Sequence, residues 1–75
     1  MTNHPRIAID PSVCHGQPVI AGTRIIVSQL LAAMASGETP QRLLEDYPSL
    51  SPADIRAALA FASDLSKFEA VAEVS

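Results

Sequence analysis

Cys14 and His15 stand side by side, and a thiol next to an imidazole is the smallest pairing from which a nucleophile and its base can be built. Neighbouring side chains in an extended segment point to opposite sides, so adjacency alone does not bring these two groups together. His15 has only His4 and Cys14 as further soft metal-ligand candidates, which falls short of a coordination set. Glu45 and Asp46 are adjacent on a helical stretch and do not face each other as a catalytic carboxylate pair must. Gly16 and Gly22 lack the close glycine spacing and the terminal Lys-Ser/Thr pair of a phosphate-binding loop. No nucleophile, acid-base and oxyanion set is specified. The expectation is a protein that is not an enzyme and uses no cofactor or metal.

The cations invite binding rather than chemistry. Arg24 offers planar donors suited to a carboxylate, in its own subunit or a partner, and phosphate is the other anion such a fork fits. Arg42, Arg56 and Lys67 are candidate nucleic-acid contacts if the later helices form a helix-turn-helix, and ordinary solvating charges otherwise. Five basic against eight acidic residues give a net charge of -3, the wrong sign for strong diffuse attraction to nucleic acid. A single cysteine forms no internal disulfide and points to a reducing compartment. Residues 1–9 do not read as a signal peptide, and the apolar runs 30–35 and 57–62 are too short to span a bilayer. A cytoplasmic protein without a membrane role is expected.

Those residues must be positioned by a small body. Seventy-five residues suit one domain, 1–75, with a core over 6–68 and less ordered termini. With 48% hydrophobic and 17% charged residues the chain should fold, but Trp is absent and the core must be aliphatic. A domain this small hides only about 60% of its unfolded surface, which makes burial against a second subunit useful. Residues 6–9 read as a strand that Asp10-Pro11 stops, and residues 19–20 and 23–27 could pair around the glycines as a small ribbon.

Helices follow. Ser28 can cap a first helix carrying Leu30, Leu31 and Met34 on one side, and Gly37 can end it. Thr39 and Pro40 start a second helix with Leu43, Leu44 and Tyr47 on its buried side, and Pro48 restricts its continuation. The strongest local signal is Ser51-Pro52-Ala53-Asp54, a capping box that opens a third helix. Along that helix Ile55, Ala58, Leu59, Ala62 and Leu65 are expected to face the core. Ala57, Phe61 and Phe68 form a second apolar strip, and Phe61 and Phe68 are the candidate interface. The fold expected is mainly α, with an N-terminal beta ribbon followed by a three-helix, helix-turn-helix-like domain. Residues 39–47 would be its supporting helix and 51–65 its recognition helix.

The run from Asp10-Pro11 through Cys14-His15-Gly16-Gln17-Pro18-Val19-Ile20-Ala21-Gly22-Thr23-Arg24, followed by Gly37, Tyr47-Pro48 and residues 51–55, resembles the family called domain of unknown function 433. The resemblance covers about four-fifths of the chain. It implies a small, dimerising, antitoxin-like protein with a beta ribbon and a helix-turn-helix-related body. The implied partners are a PIN-like ribonuclease toxin and operator DNA. Gly16, Pro18, Gly22, Thr23 and Arg24 match the family signature as scaffold, and Ile26 stands where many relatives have proline. The alternative is a non-enzymatic oligomerisation or adaptor module that binds no DNA.

Overall fold

A computed structural model describes residues 4–73, with side chains through Lys67. Strand β1 (Ile7–Ala8) and strand β2 (Val19–Ile20) form an antiparallel ribbon with Ile7 opposite Ile20 and Ala8 opposite Val19. Three helices follow: α1 (Val27–Ala35), α2 (Pro40–Asp46) and α3 (Pro52–Glu73). The expected fold class, a short ribbon leading into a three-helix, mainly α body, is the one observed. The strand expected over residues 6–9 shortens to two residues, and β2 takes β1 as its partner. The expected pairing of 19–20 with 23–27 survives as a single bridge between Val19 and Ile26. Among the described residues, no helix is long and apolar enough to cross a membrane.

The bridge also decides how α1 begins. Val27 N–H donates to Pro18 O at 2.9 Å, so the ribbon satisfies a donor that would otherwise need a cap. The N-cap is Ile26, in extended geometry and without a side-chain hydrogen bond, and Ser28 lies exposed inside the helix. The expectation that Ser28 caps α1 is therefore corrected: tertiary pairing replaced a local hydroxyl. The far end behaves as read. Gly37 N–H donates to Met34 O at 3.1 Å and Glu38 N–H to Ala33 O at 3.0 Å, a Schellman closure with Gly37 at φ +110°.

Helix α2 starts where Thr39 Oγ1 accepts from Arg42 N–H at 3.2 Å, with Pro40 in its first turn. Tyr47 N–H donates to Leu43 O, and Leu50 N–H to Tyr47 O, which closes the turn into α3. At α3 the capping box forms in both directions: Ser51 N–H donates to Asp54 Oδ2 at 3.0 Å and Asp54 N–H to Ser51 Oγ at 3.3 Å.

The core gathers one or two side chains from every element. Ile7, Ile20, Val27, Leu30, Leu43, Leu50, Ile55 and Ala58 are buried together, and Phe61, Met34, Leu31 and Tyr47 pack around them. Each large aliphatic side chain fully buried this way contributes about 1.5–3 kcal/mol. Helix α3 has 22 residues, α1 nine and α2 seven, or about 33, 13 and 10 Å in length. The third helix thus outruns the body that could cover it. Leu65 is 52% exposed although it continues the stripe of Ala58 and Phe61, and Leu59, about 100° round the helix from Ala58, is 48% exposed. These two corrections share a cause: residues expected in the core lie beyond or beside the covering helices. Phe61 moves the other way and is half-buried against the core.

Candidate functional site

The signature residues Gly16, Pro18, Gly22, Thr23 and Arg24 flank β2 on both sides in the chain. Residues Cys14–Gly16 make a single turn in which all three backbones have positive φ, at 50°, 59° and 81°. The segment is not extended, which corrects the expected opposition of Cys14 and His15. Gly16 adopts this geometry freely, whereas a non-glycine residue held there costs of order 1–3 kcal/mol, so the surrounding contacts must enforce it. Gly16 N–H donates to Val13 O and Gln17 N–H to Cys14 O, and Cys14 Sγ lies 3.8 Å from Arg24 O. His15 is exposed.

Across from this turn, Thr23 braces the loop that carries Arg24. Its hydroxyl donates to Ile20 O at 2.7 Å and accepts from Ile25 N–H at 3.0 Å, while Ile20 N–H donates to Ile25 O. Gly22 supplies φ +80° at the corner. Pro18 leaves its carbonyl to Val27. The expected scaffold role of Gly16, Pro18, Gly22 and Thr23 thus has a geometric content: they close a short, cross-braced loop. Arg24 is exposed at its tip and makes no ion pair among the described residues. Beside it opens a depression of about 840 Å³ whose polar walls include Arg24, Thr23, Gln29, Tyr47, Ser49 and Asp10. Its apolar part comes from Ala8, Val13 and Ile25. Asp10 accepts from both the Ser12 N–H (2.9 Å) and the Ser12 hydroxyl (2.8 Å), which hold its carboxyl below the usual aspartate value.

The helix-turn-helix face is thinly basic. Arg42 Nε lies 3.7 Å from Asp46 Oδ1 on the same helix, and Lys67 Nζ lies 4.0 Å from Asp64 Oδ1. Arg56 is exposed and without an ion pair among the described residues. Arg56 and Lys67 share the solvent side of α3 about three turns apart. Of the candidate interface, Phe61 packs on the core with its ring edge against His4 at a centroid distance of 5.7 Å. The Phe68 side chain lies outside the described residues.

Two residues that sequence reasoning missed tie the amino-terminal arm to α3. His4 Nε2 lies 2.8 Å from Asp64 Oδ2, and Arg6 Nη1 donates to Asp54 Oδ1 at 3.1 Å. These partners are 60 and 48 positions apart, so no local spacing announces them. Asp54 is only 6% exposed, and burial by itself would push its carboxyl up. The Ser51 N–H, the Ser51 hydroxyl and the Arg6 guanidinium together outweigh that cost and hold it below the usual aspartate value.

Comparison with known proteins matches this architecture. Residues 7–62 fit the family described as Protein of unknown function (DUF433). The crystal structure of a DUF433 member protein from Anabaena variabilis is similar with a TM-score of 0.78 and 37% identity, over 83% of this chain and 61% of that one. The uncharacterized protein y4eO of Sinorhizobium fredii (strain NBRC 101917 / NGR234) is 38% identical over 56 residues, 75% of this chain. The chain spans a quarter of the length of that relative. With the ribbon, the braced Gly-Thr-Arg loop, α1, α2 and the first half of α3 inside the matched segment, this chain belongs to the DUF433 family.

Proposed function

We propose that this chain is a non-catalytic, antitoxin-like regulatory protein that works by gripping another protein. The partner implied by the family resemblance is a PIN-like ribonuclease toxin, and repression of its own operon through DNA is a secondary role of the helix-turn-helix-like body. The observation that carries the reading is α3, where Leu59 beside the covering helices and Leu65 beyond them stand about half exposed. An amphipathic helix with spare apolar side chains is suited to lie in a groove of a partner. Co-expression with the product of the adjacent coding frame tests it. A complex of defined mass by light scattering supports the toxin arm, and two proteins that elute separately remove it.

A second reading is favoured by the ion pairs. Arg42 and Lys67 lie 3.7 and 4.0 Å from Asp46 and Asp64 on exposed helix faces, so two of the three expected DNA contacts stand beside a carboxylate that repels phosphate. On this reading the chain is a cytoplasmic oligomerisation or adaptor module, a homodimer that binds no DNA. Titration against its own promoter at physiological salt separates the two. A shift that weakens as salt rises favours regulation, and no shift at any salt favours the adaptor.

A further inference from the structure

The depression beside Arg24 is used by neither reading, yet it is where the signature residues Gly22, Thr23 and Arg24 meet Asp10 and Tyr47. From this convergence we propose that it is a binding site for a protein segment that carries a single Asp or Glu among neutral residues, with Arg24 receiving that carboxylate. Four observations support it. Arg24 is displayed on a loop pinned from both sides, by the Thr23 hydroxyl on Ile20 and by the Cys14 turn at its own carbonyl. Its guanidinium is exposed and has no ion pair among the described residues, which leaves its donors available to an incoming carboxylate. Gln29, Tyr47 and Ser49 bring neutral hydrogen-bonding groups to the same depression, which suit the peptide groups flanking a carboxylate. The apolar patch of Ala8, Val13 and Ile25 accommodates an aliphatic neighbour.

The charge balance selects among anions. The lining holds one cation and one carboxylate, Arg24 and Asp10, and Asp10 is kept ionised by Ser12. A run of phosphates would meet Asp10 as well as Arg24, and the chain as a whole carries -3. A single carboxylate on an otherwise neutral segment meets only the favourable partner.

The test is a titration of the 15N-labelled chain, followed by NMR, with three probes at fixed ionic strength: acetyl-Val-Glu-Val-amide, acetyl-Val-Gln-Val-amide and inorganic phosphate. The glutamate peptide is expected to shift the amides of Gly22, Thr23, Arg24, Gln29 and Ser49 in a saturable way. The glutamine peptide should bind about tenfold more weakly, the effect of one charge-assisted hydrogen bond. Arg24→Gln should abolish that preference while the remaining spectrum is unchanged, and Arg24→Lys should keep part of it. Equal binding of the two peptides, shifts confined to other surfaces, or phosphate binding as tightly as the glutamate peptide would each overturn the assignment. The inference is independent of the toxin partner, since a chain that captures no ribonuclease can still show the glutamate preference.

Discussion

At the level of single residues the tightest knot is Asp54, which caps its own helix and receives Arg6 from the far end of the chain. Removing the carboxylate leaves the Ser51 N–H and Arg6 without their acceptor, and Asp54→Ala should cost about 1–3 kcal/mol in urea unfolding. Arg6 is half exposed, so Arg6→Ala should cost less, about 0.5–1 kcal/mol. The pH dependence has a definite sign. The folded-state carboxyl lies below the ordinary aspartate value of about 3.9, so its contribution is complete above that value and fades as pH falls through the folded one. Stability of the wild type should therefore drop on acidification below about pH 4 more steeply than that of Asp54→Asn, as read from urea midpoints. The turn at Cys14–Gly16 makes a second residue-scale test, because His15 is exposed and only its backbone is constrained. His15→Gly should leave stability unchanged or slightly raised. His15→Val places a β-branched residue at φ +59° and should cost about 1–2 kcal/mol.

At the level of elements, the start of α1 has a backbone that would accept proline at Ile26. Its φ of -79° is within a proline's range, and in the Val19 bridge the flanking donors Ile20 N–H and Val27 N–H carry the hydrogen bonds. Ile26→Pro is expected to stay within about 1 kcal/mol of the parent in thermal unfolding. Ala32→Pro, inside α1 and exposed, should cost about 3 kcal/mol or more, because it removes a helical hydrogen bond. Equal losses for both variants would mean that the ribbon needs the Ile26 side chain more than its backbone geometry. The same contrast explains the Ser28 correction: a serine at a helix start is a sound cap signal, but here the ribbon had already supplied the acceptor.

For the whole molecule the informative feature is mismatch of length. A 22-residue helix on a body built from nine- and seven-residue helices carries apolar side chains past the region that can bury them. Leu65→Asp should leave the unfolding midpoint within about 0.5 kcal/mol of the parent and reduce any oligomer or partner complex seen by light scattering. Ala58→Asp, at a fully buried site, should unfold the chain. Phe61→Asp would combine both effects, since Phe61 packs on the core and against His4, so Leu65 is the cleaner probe of assembly.

What the sequence determined alone was local: the Thr39-Pro40 start of α2, the Gly37 stop of α1 and the Ser51–Asp54 capping box. Each rests on contacts within a few residues, and hydrogen-bond chemistry at that range is written in residue type and spacing. Tertiary structure decided which face of α3 is inside. Periodicity marks apolar stripes but not the length of the neighbour that covers them, so it predicts Leu59 and Leu65 in the core, where the packed chain leaves them half exposed. It also decided the long-range pairs His4–Asp64 and Arg6–Asp54, and the gathering of Asp10, Arg24 and Tyr47 around one depression. Such meetings depend on how elements stack, a property of the packed chain that no window of neighbouring residues contains.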